Sequence, residues 1–91
     1  MRKIDGKHHL LGENIIKSSN GEPIAEDEPL FLFRGRDRLA VATLETYARL
    51  CKVDGCLPEH VEAVNESIER FKRFRQDKPL RMKQPGVTRG L

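Results

Sequence analysis

Leu30-Phe31-Leu32-Phe33-Arg34-Gly35-Arg36-Asp37-Arg38 is the stretch on which the rest of the chain turns. Four consecutive large apolar residues with no polar alternation predict a central strand buried on both faces. Glu26, Asp27, Glu28 and Pro29 lead into it as an acidic connection. Arg34, Gly35 and Arg36 then form a turn, and Asp37 stands where a helix N-cap is expected. Arg34, Arg36 and Arg38 would thus converge with the unpaired N–H groups of a helix start, and Gly35 would allow close approach. That chemistry suits a phosphate or a carboxylate. A second reading of the same residues pairs Arg34 and Arg36 with Glu26, Asp27 or Glu28 and leaves Asp37 as a cap alone. Neither a P-loop nor a GxGxxG pattern is present.

Downstream, the periodicity changes from strand to helix. Ala40, Val41, Leu44, Tyr47, Ala48 and Cys51 recur at steps of three and four, which predicts an amphipathic helix from after Asp37 to about Lys52. Asp54-Gly55 stops it, with Gly55 suited to the left-handed position after the helix end. Pro58 fits the first turn of a second helix, with Leu57 as its N-cap, and Glu59 and Glu62 complement the positive end of the dipole. Val61, Val64, Ile68 and Phe71, with Phe74 beyond, form its apolar stripe. Lys78-Pro79 ends it. So short a connection predicts an antiparallel helix pair whose stripes face each other and share Phe31 and Phe33.

Upstream, Asn14–Lys17 is a short β-rich run, followed by Ser18-Ser19-Asn20-Gly21 and then Glu22-Pro23-Ile24. Asn-Gly is a strong hairpin signal because both central positions tolerate positive φ, and Pro23 places the returning arm at a sheet edge. Residues 1–13 read as an irregular arm or brief strand. His8 and His9, as neighbours, would point to opposite faces. The expected fold is therefore α+β: an N-terminal β-hairpin and a buried strand packed on a C-terminal antiparallel two-helix hairpin. Residues 1–79 would form one small domain, with a flexible basic tail over 80–91.

With 91 residues, 37% hydrophobic and 34% charged, the core is small for its surface, so covering apolar area by forming a homo-oligomer is an expected route to stability. No run approaches the ~18 apolar residues of a membrane span. The first residues lack the apolar region of a secretory signal, so a cytoplasmic protein with no membrane partner is expected. The net charge of +3 is unevenly spread. Residues 70–91 hold Arg70, Lys72, Arg73, Arg75, Lys78, Arg81, Lys83 and Arg89 against Asp77 alone. Cations in the last turns of a helix are favoured by its dipole, which gives a solvated-face reading. The charge continues past Pro79, however, and Lys72, Arg73, Arg75, Lys78, Arg81, Lys83 and Arg89 form the alternative set for contacting nucleic acid. Phe71 and Phe74 keep the core period, which weighs against dedicated stacking platforms.

Cys51 falls on the apolar helix face and reads as a small core hydrophobe, with Cys56 in the turn. A zinc site from Cys51, Cys56, His60 and one of His8 or His9 would need an unusual spacing, so neither metal nor cofactor is expected. No spacing reproduces a catalytic arrangement, and the expected role is non-enzymatic.

Gly21-Glu22-Pro23-Ile24, then Asp27 to Asp37, and again Arg81-Met82-Lys83-Gln84-Pro85-Gly86, resemble a loose group of small proteins encoded by bacteria, prophages and phages. The likeness spans about residues 14–86 and carries no catalytic residues. It implies a phage-related accessory protein that acts by binding. Such proteins include counter-defence proteins that sequester cyclic nucleotide signals or block a host protein complex.

Overall fold

The computed structural model describes residues 4–5, 7–11 and 14–86. The chain divides into two compact units, residues 1–31 and 32–91. The elements form an α+β set, with a two-stranded antiparallel sheet in the first unit and two packed helices in the second.

In the first unit, β1 (His8–Leu11) pairs antiparallel with β2 (Asn14–Lys17), His8 opposite Lys17 and Leu11 opposite Asn14. The hairpin expected around Asn20-Gly21 also turns the chain back, but as a single bridge between Ile16 and Pro23. Lys17 N–H donates to the Glu22 carbonyl at 2.8 Å, and Ile24 N–H to that of Ile15 at 3.0 Å. Gly21 takes φ 72°, as the turn chemistry requires. Pro23 lies on this outer arm, where a missing N–H removes little from the ladder. The regular pairing therefore lies on the N-terminal side of β2. Ile16 is buried in this unit.

The two histidines separate as their alternation demands: His8 Nδ1 lies 3.0 Å from Asp5 Oδ1 and His9 Nδ1 lies 2.7 Å from Ser18 Oγ. Burial opposes ionisation of the Asp5 carboxyl. The Lys7 and His8 N–H groups and the His8 ring outweigh it and hold the pKa below its ordinary value.

In the second unit, α1 (Ala40–Val53) and α2 (Pro58–Asp77) follow the two expected stripes. Val41, Ala48, Val64 and Ile68 form the buried cluster, with Leu44 and Phe71 packed against it. Tyr47 meets His60 while Glu45 meets Lys72, so partners descend along α2 as the chain rises along α1; the pair is antiparallel. The α1 end is a Schellman motif. Cys56 N–H donates to the Cys51 carbonyl at 2.9 Å and Gly55 N–H to that of Lys52 at 3.2 Å, with Gly55 at φ 77°. Leu57 and Pro58 then start α2 as the sequence implies.

Two local expectations are corrected. Leu30–Phe33 is not a strand: it has no regular secondary structure, and Leu30, Phe31 and Leu32 are exposed, Phe31 by 84%. Burial of such a run on both faces needs a sheet with covered sides, whereas the sheet here has two strands of four residues. The core of the second unit comes from helix faces instead. Asp37, moreover, does not cap α1. The N-cap is Leu39, and the Asp37 carboxylate accepts the Leu39 N–H at 2.8 Å, closing a turn just ahead of the helix.

The chain beyond α2 stays attached where composition alone suggests a loose tail. Pro79–Arg81 forms a 3-10 turn. Lys83 then runs parallel to Asp37, donating its N–H to the Arg36 carbonyl at 2.8 Å and accepting the Arg38 N–H at 3.1 Å.

Candidate anion-binding surface

The bridge between Lys83 and the Arg36–Arg38 backbone joins two regions that the sequence presents as rival sites. Arg34, Arg36 and Arg38 stand on one arm, and Lys78, Arg81 and Lys83 on or beside the other. Within residues 34–38 and 78–83 these six cations face one carboxylate, Asp37. Arg34 and Arg38 are exposed and Arg36 is half-buried. Within this unit, no described carboxylate forms an ion pair with any of the three.

Phe74 is the floor of the locus. The Arg81 guanidinium carbon lies 5.0 Å from the Phe74 ring centroid, a cation–π contact worth about 0.5–1 kcal/mol at an exposed site. Gly35 approaches the same ring so closely that a Cβ there would sit 3.4 Å from it. A methyl group at 35 would therefore rest in van der Waals contact with the ring, which leaves little room for anything larger on that side. Periodicity places Phe74 on the core stripe and hides this role. The signal that points to it is Gly35 between two arginines, which marks a close approach.

The helix start itself is less open to a ligand than the sequence suggests. Asp37 N–H donates to the Arg34 carbonyl at 3.0 Å, Arg38 N–H to Lys83 and Leu39 N–H to the Asp37 carboxylate. These N–H groups are used internally, and the Asp37 carboxylate lies where an anion would approach. The attraction left for a ligand is that of the side chains.

Lys72 and Arg73 of the C-terminal set have other neighbours. Lys72 Nζ sits 3.4 Å from Glu45 and 3.9 Å from Glu69, so its charge is balanced. Arg73 shares an outer groove of α2 with Glu62, Glu66 and Glu69. Arg75 is exposed in the last turn of α2. Arg89 lies outside the described residues. A second open groove of about 270 Å³ between the helices is lined by Arg49, Lys52 and Lys72 together with Glu45 and Glu69, a mixed-charge wall in which the carboxylates offset most of the pull on an anion.

The thiols occupy a separate place. Cys51 is buried and Cys56 half-buried, and neither is in a disulfide. No group of three or more metal-ligating side chains is placed to hold an ion among the described residues. The Tyr47 hydroxyl lies 3.1 Å from His60 Nε2, with the rings edge to face. Its pKa is raised above the ordinary phenol value, first by a hydrogen bond with Cys51, then by burial and by the charge of Cys51 and Cys56. Because the neutral phenol is favoured in the fold, this contribution is present below the unfolded pKa near 10 and disappears as pH rises through the folded value. Tyr47 is the only tyrosine and there is no tryptophan, so phenolate absorbance reports it directly. The expected midpoint is above that of a free tyrosine and falls towards it in Cys51→Ala. A midpoint indifferent to Cys51 would remove the contact.

Comparison with protein-family models, with curated proteins and with solved structures finds no match to this chain. No helix among the described residues is long and apolar enough to cross a membrane.

Proposed function

We propose that the chain is a non-enzymatic, homo-oligomeric binder of an anionic, nucleotide-like ligand, in the manner of a cytoplasmic phage accessory protein that sequesters a signal. The observation that carries this reading is the bridge that brings Lys83 and Arg81 beside Arg34, Arg36 and Arg38. Arginine forks suit phosphate oxygens, and a locus of this size matches a few phosphates. Arg81 over Phe74 also presents a flat cationic surface on which a base can stack.

Direct binding of nucleic acid is the second reading, favoured by the openness of the same surface. The two differ in salt dependence, since each phosphate neutralised on duplex DNA adds about −0.9 to the slope of log affinity against log salt. Titrating the protein with a cyclic dinucleotide, a cyclic trinucleotide and a short duplex at two salt concentrations separates them. A small ligand is expected to bind with a shallow slope of about −1 to −3. Binding of the duplex alone with a steep slope transfers the function to nucleic acid. If none of the three binds, both readings fail. The exposed Leu30, Phe31 and Leu32 then favour the third, inhibition of a host protein complex through direct contact.

A further inference from the structure

We propose that the outer face of α1 is the seam of a two-fold dimer, in which α1 of one copy packs parallel and in register against α1 of a second copy. This concerns assembly and stands whether or not the basic surface binds an anion. Opposite the buried stripe of α1, Leu39, Thr43, Thr46, Leu50 and Val53 follow one another at spacings of four, three, four and three. That alternation is the 3.5-residue repeat of a helix–helix seam, and no charged residue interrupts it. All five are exposed, Leu50 by 59% and Val53 by 85%. Leu39, although the N-cap, keeps helical backbone angles and so extends the row. The two threonines need no water on this face: Thr43 Oγ1 donates to the Leu39 carbonyl at 2.8 Å and Thr46 Oγ1 to that of Ala42 at 3.0 Å. A helix apolar on two opposite faces is one that a second element covers, and a heptad seam is covered by a helix carrying the same repeat.

Charge selects both the occupant and its direction. With Thr43 and Leu50 at the a positions and Thr46 and Val53 at the d positions, Arg49 and Asp54 fall at the flanking g and e positions. Arg49 already leans along the seam, donating to Thr46 Oγ1 at 3.0 Å. In a parallel pair, g faces the e residue five places on in the other chain, so Arg49 meets Asp54 of the second copy. The two-fold axis makes that contact twice. An antiparallel pair centred on the same seam sets Arg49 against itself. Identical copies therefore supply both the apolar repeat and the opposite charges.

The full chain is tested by sedimentation equilibrium across micromolar to millimolar concentration. Wild type is expected to show a reversible dimer, and Leu50→Glu to weaken it by about 30-fold or more, the scale of a central interface residue. Because Leu50 is exposed in the single chain, the helical circular dichroism of the variant is expected to be unchanged. Direction is read by introducing Val53→Cys into a Cys51→Ala, Cys56→Ser background and adding oxidised glutathione. The two seam thiols form one disulfide while a glutathione disulfide is reduced to two thiols, and a covalent dimer is expected. The same background with Glu66→Cys, on α2 and away from the seam, is expected to form no covalent dimer. A chain that stays monomeric throughout, a dimer that survives Leu50→Glu, or a dimer that Val53→Cys does not cross-link would each overturn the proposal.

Discussion

Ile68→Ala is expected to lower the free energy of unfolding by about 2–5 kcal/mol, the range for removing a buried aliphatic side chain and leaving a partly collapsed cavity. Ile68 is 5% exposed and packs in the four-residue cluster with Val41, Ala48 and Val64. Among the described residues of this unit few other side chains are buried, and a loss of this size is comparable to the whole stability of a small domain. Phe31→Ala, the larger deletion by volume, is expected to change stability by no more than about 0.5 kcal/mol, because Phe31 stands largely in solvent. Urea denaturation at matched protein concentration measures both. Equal losses from the two variants would mean that the apolar run at Leu30–Phe33 belongs to the core after all.

Replacing Arg34 and Arg36 together by Ala is expected to weaken binding of the anionic ligand by about 100-fold or more, since a hydrogen bond to a charged group contributes about 1.5–3 kcal/mol. Their backbones are held by hydrogen bonds that the substitutions leave in place: the Arg34 carbonyl accepts from Asp37 and the Arg36 carbonyl from Lys83. The melting temperature should therefore remain within a few degrees of wild type. Lys72→Ala is the control, expected to leave affinity unchanged because Glu45 and Glu69 already balance that charge. Isothermal titration with the small ligand separates the outcomes. A uniform, slight weakening from every cationic substitution would instead indicate a diffuse polyanion interface.

The rival positions of the two basic regions in the sequence illustrate a general limit. Arg34–Arg38 reads as a turn before one helix, and Arg81–Lys83 as debris after another. Only the parallel bridge at Asp37 and Lys83 makes them one surface. Asp37 shows the reverse case. Its chemistry is legible as a side chain that accepts a nearby N–H, yet which N–H it accepts depends on two more residues of turn before α1 begins.

What the sequence determined by itself is everything governed by nearest neighbours along the chain. Gly55 alone tolerates the left-handed angle that ends α1, Pro58 and Pro79 lack the N–H that a helix interior needs, and the spacing of Val64, Ile68 and Phe71 puts them on one face whatever lies opposite. The tertiary structure alone decided what each apolar or charged surface meets. Leu30–Phe33 has the composition of a buried strand, but burial is a property of the space around a segment, and a two-stranded sheet has too little of it to cover both faces. Phe74 follows the core period, yet its ring is met by Gly35 and Arg81 because the turn after Pro79 brings the chain back over it. Contacts between distant segments are set by the closure of loops and the competition of whole faces for cover. Those are quantities that no local window of sequence contains.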